Sequence, residues 1–288
     1  MRLSSQLVRV AAIDFLNPAP LMWDFEHPPL AASLAERYQL HYTLPALCAD
    51  ELLSGRADLG LIPIAALTQD LAVVPGCTIA ALDEVRSIQL IVKHGKAKAP
   101  HTLATIRTIA ADTASRSSLA YAHILFRKFL HTDPTFVPAA ANPIAMLRDH
   151  DAAILIGDPA LLALEDRAHI ESVVGPCTWH DLAHEWHTRT SLPWVAAVWA
   201  ARPDTLTIPA ADLTRDLNQS RIHGQANIKT LVRDWSPRIA LPPTTIHQYL
   251  TRNIHYDLTE DCIRTIQLFR QYAAEINLLP PLPTLRFL

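Results

Sequence analysis

The sequence predicts a two-lobed α/β fold, and three observations carry that prediction. Short apolar runs closed by Pro or Gly alternate with helical patterns, the alternation restarts near residue 98, and one long apolar strand at 192–202 leads into a mainly helical C-terminal region. The restart divides the chain into a discontinuous larger lobe, residues 1–97 with 192–288, and a smaller lobe, 98–191, joined by two crossings.

The elements follow in order. LVRVAAIDFL (7–16) is a buried strand stopped by Asn17-Pro18 and Pro20. PLAASLAERY reads as a helix and YQLHYTLP as a strand. ADELLSGRADLGLIPIAAL gives a helix closed by Gly55 and a third strand ended by Pro63. Residues 77–96 hold two more strand-like segments. In the smaller lobe, RTIAAD is a strand, TASRSS a turn and SLAYAHILFRKF a helix with Leu119, Ala122, His123 and Phe126 on one stripe. PTFVPA is a strand, and IAMLRDHDAAILIGDPALLAL runs helix, strand, turn, helix. This alternation argues for parallel sheets. Ligands of open α/β sheets bind beyond the carboxyl ends of the strands. The polar positions there are Asn17, residues 63–66, Ser87, residues 113–118, Gly157 and Asp158.

Composition excludes several classes. The 288 residues are 50% hydrophobic and 18% charged with net charge −3, enough apolar mass for large cores and no basic footprint for nucleic acid. Gln6 and Arg9 interrupt any signal-peptide core, and no window reaches the roughly 18 apolar residues of a membrane span, so a cytoplasmic protein is expected. Cys48, Cys77, Cys177 and Cys262 lie far apart with no C-x-x-C pair and read as reduced core residues. No G-x-G-x-x-G, G-x-x-x-x-G-K or G-x-S-x-G occurs, which removes dinucleotide, nucleotide and α/β-hydrolase readings.

Three positions invite chemistry. Ser115, Arg116, Ser117 and Ser118 open a helix, where unpartnered N–H groups and the dipole suit a carboxylate; a serine there can equally just cap the helix. Asn17 serves either as a turn former or as a ligand contact, and Asp158 either caps DPALLALE or acts on substrate. His180, His184 and His187 fall i, i+4, i+7 along an expected helix face, but the zinc-protease H-E-x-x-H order is absent, so a solvated face is expected rather than a metal.

Six motifs in one order carry a resemblance: RVAAIDFLNPAPL, ADLGLIPIAAL, RSIQLIV, DTASRSSLAYA, AAILIGDPAL, and DLAHEW followed by TRTSLPWVAAVWAAR. The chain resembles the chorismate dehydratases (MqnA) of the futalosine route to menaquinone from about residue 8 to the C-terminal helix. Relatives often show Thr-Ser where this chain has Ser117-Ser118, and Gly where it has Ala183. The sister enzyme, 1,4-dihydroxy-6-naphthoate synthase, opens with a Ser-Pro-x-x-x-Asp-Thr type motif where this chain has IDFLNPAP.

The resemblance implies a type II periplasmic-binding-protein-like fold with a central cleft. It also implies conversion of chorismate to 3-[(1-carboxyvinyl)oxy]benzoate and water, without metal or cofactor, by a monomer or homodimer whose partner is the small-molecule substrate. Asn17 and Ser87 would position the reacting ring and the leaving hydroxyl. Ser115, Arg116, Ser117, Ser118, Gly157 and Asp158 would hold substrate, with Asp158 as fallback base should the enolpyruvyl carboxylate not take the proton. The competing readings are a cytoplasmic small-carboxylate binder without catalysis on the same fold, or the sister enzyme 1,4-dihydroxy-6-naphthoate synthase.

Overall fold

A computed structural model describes residues 7–94 and 102–288. The expected lobe boundary at residues 97 and 98 lies outside them, as do the first six residues used in the N-terminal reading. Twelve strands occur among the described residues. Four open the chain: β1 (Val8–Ile13), β2 (Tyr38–Thr43), β3 (Leu59–Pro63) and β4 (Ala72–Ala81). The next five are β5 (Ile88–Lys93), β6 (Thr108–Ala111), β7 (Thr135–Pro138), β8 (Ala152–Ile156) and β9 (Cys177–Asp181). The last are β10 (Trp194–Ala201), β11 (His255–Asp257) and β12 (Arg286–Phe287).

They form two sheets. The first has order β11-β4-β10-β3-β1-β2 with β12 beside β4, and the second has order β7-β6-β8-β5-β9. The sheets are mixed rather than parallel throughout, which corrects the sequence expectation. Strands β1, β2 and β3 are parallel, as are β6, β7 and β8, because a helix or helical turn carries the chain back between them. Strands β5 and β10 run antiparallel to their neighbours. These two bring the chain across from the other sheet, so no return helix sets their direction.

Strands β3 and β8 are buried along their whole length, as their unbroken apolar runs require when both faces are covered. One core cluster joins the two sheets, running from Val8 and Leu59 through Tyr121 and Phe126 to Trp194 and Phe269; a second, around Met146, Leu147 and Ile170, lies in the smaller unit. Strand β9 was unforeseen. Its CTWHD sequence is polar and mostly half-buried at a sheet edge, so it lacks the apolar alternation by which strands are read.

Candidate active site

The cleft residues stand where strands end. After β1 the chain enters a turn stiffened by Pro18 and Pro20. Asn17 is held there from two sides: the Tyr256 hydroxyl donates to the Asn17 carbonyl at 3.0 Å, and the neighbouring Leu16 N–H donates to Asp158 Oδ1 at 3.2 Å. The Asn17 side chain lines a central cavity, and its Oδ1 is buried with no hydrogen-bond partner. An unmet buried acceptor costs about 1–3 kcal/mol, which a donating ligand recovers. Ser87 lines the same cavity, and beside both residues is Tyr249, a buried phenol whose pKa burial raises above its ordinary value, Ser87 and Asn17 opposing the shift.

The serines approach from the second sheet. Ser115 is extended and caps the Arg116–Ile124 helix. Its Oγ accepts from the Ser118 N–H at a long 3.5 Å and from the Ser118 hydroxyl at 3.1 Å. A hydroxyl has two lone pairs and one proton, so the Ser115 O–H is what remains for a ligand. Both serines are buried and line the cavity. Capping and ligand binding are therefore compatible uses of one residue.

Gly157 supplies room rather than a donor. Its φ of +72° suits glycine, and a Cβ there would stand 2.8 Å from Phe15 Cε2. Its N–H is already given to the Ser87 carbonyl at 2.7 Å. Asp158, the next residue, turns its carboxylate back onto Leu16 instead of lining the cavity. Burial pushes its pKa up to about 6, the Leu16 N–H opposing and Asp14 reinforcing the shift.

The cavity that Asn17, Ser87, Ser115, Ser118 and Gly157 share is otherwise walled by apolar groups such as Phe15, Ile156 and Trp194. Among the described residues no Asp, Glu, His, Lys or Arg lines it. Its volume is about 30 Å³, room for a water or two. Ligand sites commonly span roughly 300–1,000 Å³, so a ring-sized ligand enters only if the walls part.

Besides Asp158, two more residues expected at the site lie beside it. Arg116 reaches outward to Asp50 at 2.6 Å, and Ser117 Oγ accepts the Ala65 N–H at 3.2 Å. Both ties, with the Leu16–Asp158 bond, connect chain segments on opposite sides of the cleft.

The histidine face does not form, because residues 177–181 pair with β5 and the Asp181 carboxylate caps a helix that begins only at Leu182. His180 pairs with Glu185 at 2.9 Å, His184 with Asp83 at 2.6 Å and His187 with the Leu192 carbonyl at 3.2 Å. Among the described residues no group of three or more His, Cys, Asp or Glu is placed to hold a metal. Sequence reasoning missed Phe15 and Trp194, since a search for polar residues at strand ends passes over aromatic walls.

Comparison with known proteins adds four findings. A family profile described as menaquinone biosynthesis matches residues 8–275. The chorismate dehydratase of Thermus thermophilus is 27% identical over 236 residues, 78% of this chain and 83% of the relative. Among solved structures, the periplasmic aliphatic sulphonate binding protein SsuA from Escherichia coli aligns with a TM-score of 0.66 at 15% identity, covering 95% of this chain and 88% of that one. The alkanesulfonate-binding protein SsuA from Xanthomonas axonopodis pv. citri, bound to MOPS, gives 0.66 at 17% identity, with 95% and 94% covered. These likenesses establish the periplasmic-binding-protein-like fold.

Proposed function

The chain belongs to the menaquinone biosynthesis family, and from that premise we propose that it is a chorismate dehydratase of the futalosine route, releasing 3-[(1-carboxyvinyl)oxy]benzoate and water. The observation that carries the reading is the cavity lining: neutral hydroxyl and amide groups, and no titratable side chain among the described residues.

Chorismate is a dianion. A neutral lining with hydroxyl donors at a helix start accepts a carboxylate without adding charge to neutralise. Ser115 and Ser118 are the docking residues in this reading. The Asn17 Oδ1 accepts from the ring hydroxyl, a donor that meets its unmet hydrogen-bonding need. Ser87, which lines the same cavity, holds the other side of the ring.

Dehydration removes the proton from C3 and the hydroxyl from C4. The C3–H electrons delocalise through the ring alkene toward the ring carboxylate, so donors near that carboxylate lower the barrier. With no protein base in the lining, the enolpyruvyl carboxylate takes the proton. The C4 hydroxyl then leaves with that proton as water, and the C3–C4 double bond completes the aromatic ring. The protein contributes orientation and charge stabilisation.

Purified protein incubated with chorismate should produce an aromatic ultraviolet spectrum and a product lighter by one water. Chorismate that binds yet is recovered unchanged would instead indicate a carboxylate-binding protein.

A further inference from the structure

Trp194 begins β10, the strand that returns the chain to the first sheet, and it forms part of the cavity wall. Its indole Nε1 is buried and has no hydrogen-bond partner. The ring packs on Tyr121, and the backbone on either side of it is anchored. Tyr121 packs against it with centroids 5.4 Å apart, and Tyr121 is itself clamped to the next residue, its hydroxyl donating to the Val195 carbonyl at 3.1 Å. The preceding Pro193 carbonyl accepts from Trp186 Nε1 at 3.1 Å and from Thr265 Oγ1 at 2.7 Å. An indole held this firmly presents its N–H in one direction.

Trp199, on the same strand, is the useful contrast. It too has an unpartnered buried Nε1, but it lies in the closed core and takes no part in the cavity wall. A phenyl ring could fill either wall without burying an unmet donor. Only at Trp194 is there a cavity whose occupant would supply the acceptor.

The partner helix narrows what that occupant offers. Tyr121 stands one helical turn after Ser118, on the helix capped by Ser115. The indole against Tyr121 and the Ser115–Ser118 pair thus lie along one wall, and Trp194, Ser115 and Ser118 all line the cavity. We propose that Trp194 is a substrate-binding residue whose Nε1–H donates to the same carboxylate that the Ser115 hydroxyl docks. The inference rests on the dehydratase reading and extends it to a donor that reasoning from polar residues overlooks.

The test replaces Trp194→Phe, which keeps a ring in the wall and removes the donor, with Trp199→Phe as the core control. Chorismate KM and kcat, calorimetric binding of chorismate and the melting temperature are measured for each. Trp194→Phe should raise KM and the dissociation constant about tenfold or more, the loss of a hydrogen bond to a charged group, while still melting cooperatively. Trp199→Phe should leave KM within about twofold of the parent. The double variant Trp194→Phe/Ser115→Ala should depart from the product of the single effects by about threefold or more, since both donors would serve one anion.

An unchanged KM in Trp194→Phe, or equal effects in the two Trp variants, would overturn the assignment and leave the dehydratase reading standing. Should the parent bind chorismate without turning it over, the dehydratase reading fails and the binding titrations still decide the role of Trp194. A parent that does not bind chorismate overturns both.

Discussion

Ser118 gives both of its donors to Ser115, its N–H at 3.5 Å and its hydroxyl at 3.1 Å, and so leaves the Ser115 proton as the donor this pair can offer to the cavity. Ser117, between them, spends its oxygen on the Ala65 N–H. The adjacent serines should therefore fail differently. Ser115→Ala should raise the chorismate KM by about tenfold or more and cost about 1 kcal/mol of stability as a lost cap. Ser117→Ala should lower the melting temperature with little change in KM. Steady-state kinetics with thermal melts checks both, and an unchanged KM in Ser115→Ala would reduce that residue to a cap.

At Asn17 the direction of failure separates two roles. Asn17→Ala removes the acceptor and should lower kcat more than it raises KM if the side chain acts in the transition state. Asn17→Asp is closer in shape but sets a negative charge before a dianion, so it should bind worse than Asn17→Ala. Parental turnover in both variants would make Asn17 a turn residue only.

Asp158 supplies the pH prediction. Burial raises its folded-state pKa from 3.8 to about 6. Protonation therefore favours the fold, so this contribution is fully present below about pH 4 and is lost as pH rises through about 6. Asp158→Asn stays neutral and keeps an oxygen for the Leu16 N–H, so its stability should rise relative to the parent across that window, by at most about 3 kcal/mol. Turnover should survive, because the carboxylate faces Leu16 and not the cavity. Loss of turnover with the fold intact would identify Asp158 as the base after all.

Arg116 was expected to touch substrate, and its exposed pairing with Asp50 at 2.6 Å argues otherwise. An exposed ion pair is worth about 0.2–1 kcal/mol. Arg116→Ala should shift KM by less than about threefold at moderate salt. A tenfold increase would show that the guanidinium swings into the cleft when substrate arrives.

Much of this site was legible because backbone rules place it. A strand that runs into Asn17-Pro18 must stop, and hydroxyls before an apolar helix must cap, so Asn17, Ser87, Ser115, Ser118 and Gly157 could each be assigned to the cleft from their neighbours. Side-chain direction was not legible. Ser117 and Ser118 are adjacent and chemically identical, yet one ties the cleft walls together and the other lines the cavity, a difference set by the packing of the helix. The histidine spacing misled for a related reason. A period of three to four residues means one face only inside one helix, and Asp181 starts that helix after His180. Trp194 escaped notice because its burial was foreseeable while the orphaned N–H within that burial was not.

Ser87 lies at the crossing between the sheets, its carbonyl stitched to the Gly157 N–H at 2.7 Å and its side chain lining the cavity with Asn17. In the dehydratase reading, admission and reaction would be parts of one mechanical cycle. Any displacement wide enough to admit a six-membered ring strains the bonds that join Leu16 to Asp158 and Ala65 to Ser117 across the cleft, and in the proposed reaction their return would expel bulk water from the space where charge develops on the ring. A dehydratase built this way would need no separate lid: open, it would exchange product for substrate and be chemically idle; shut, it would commit.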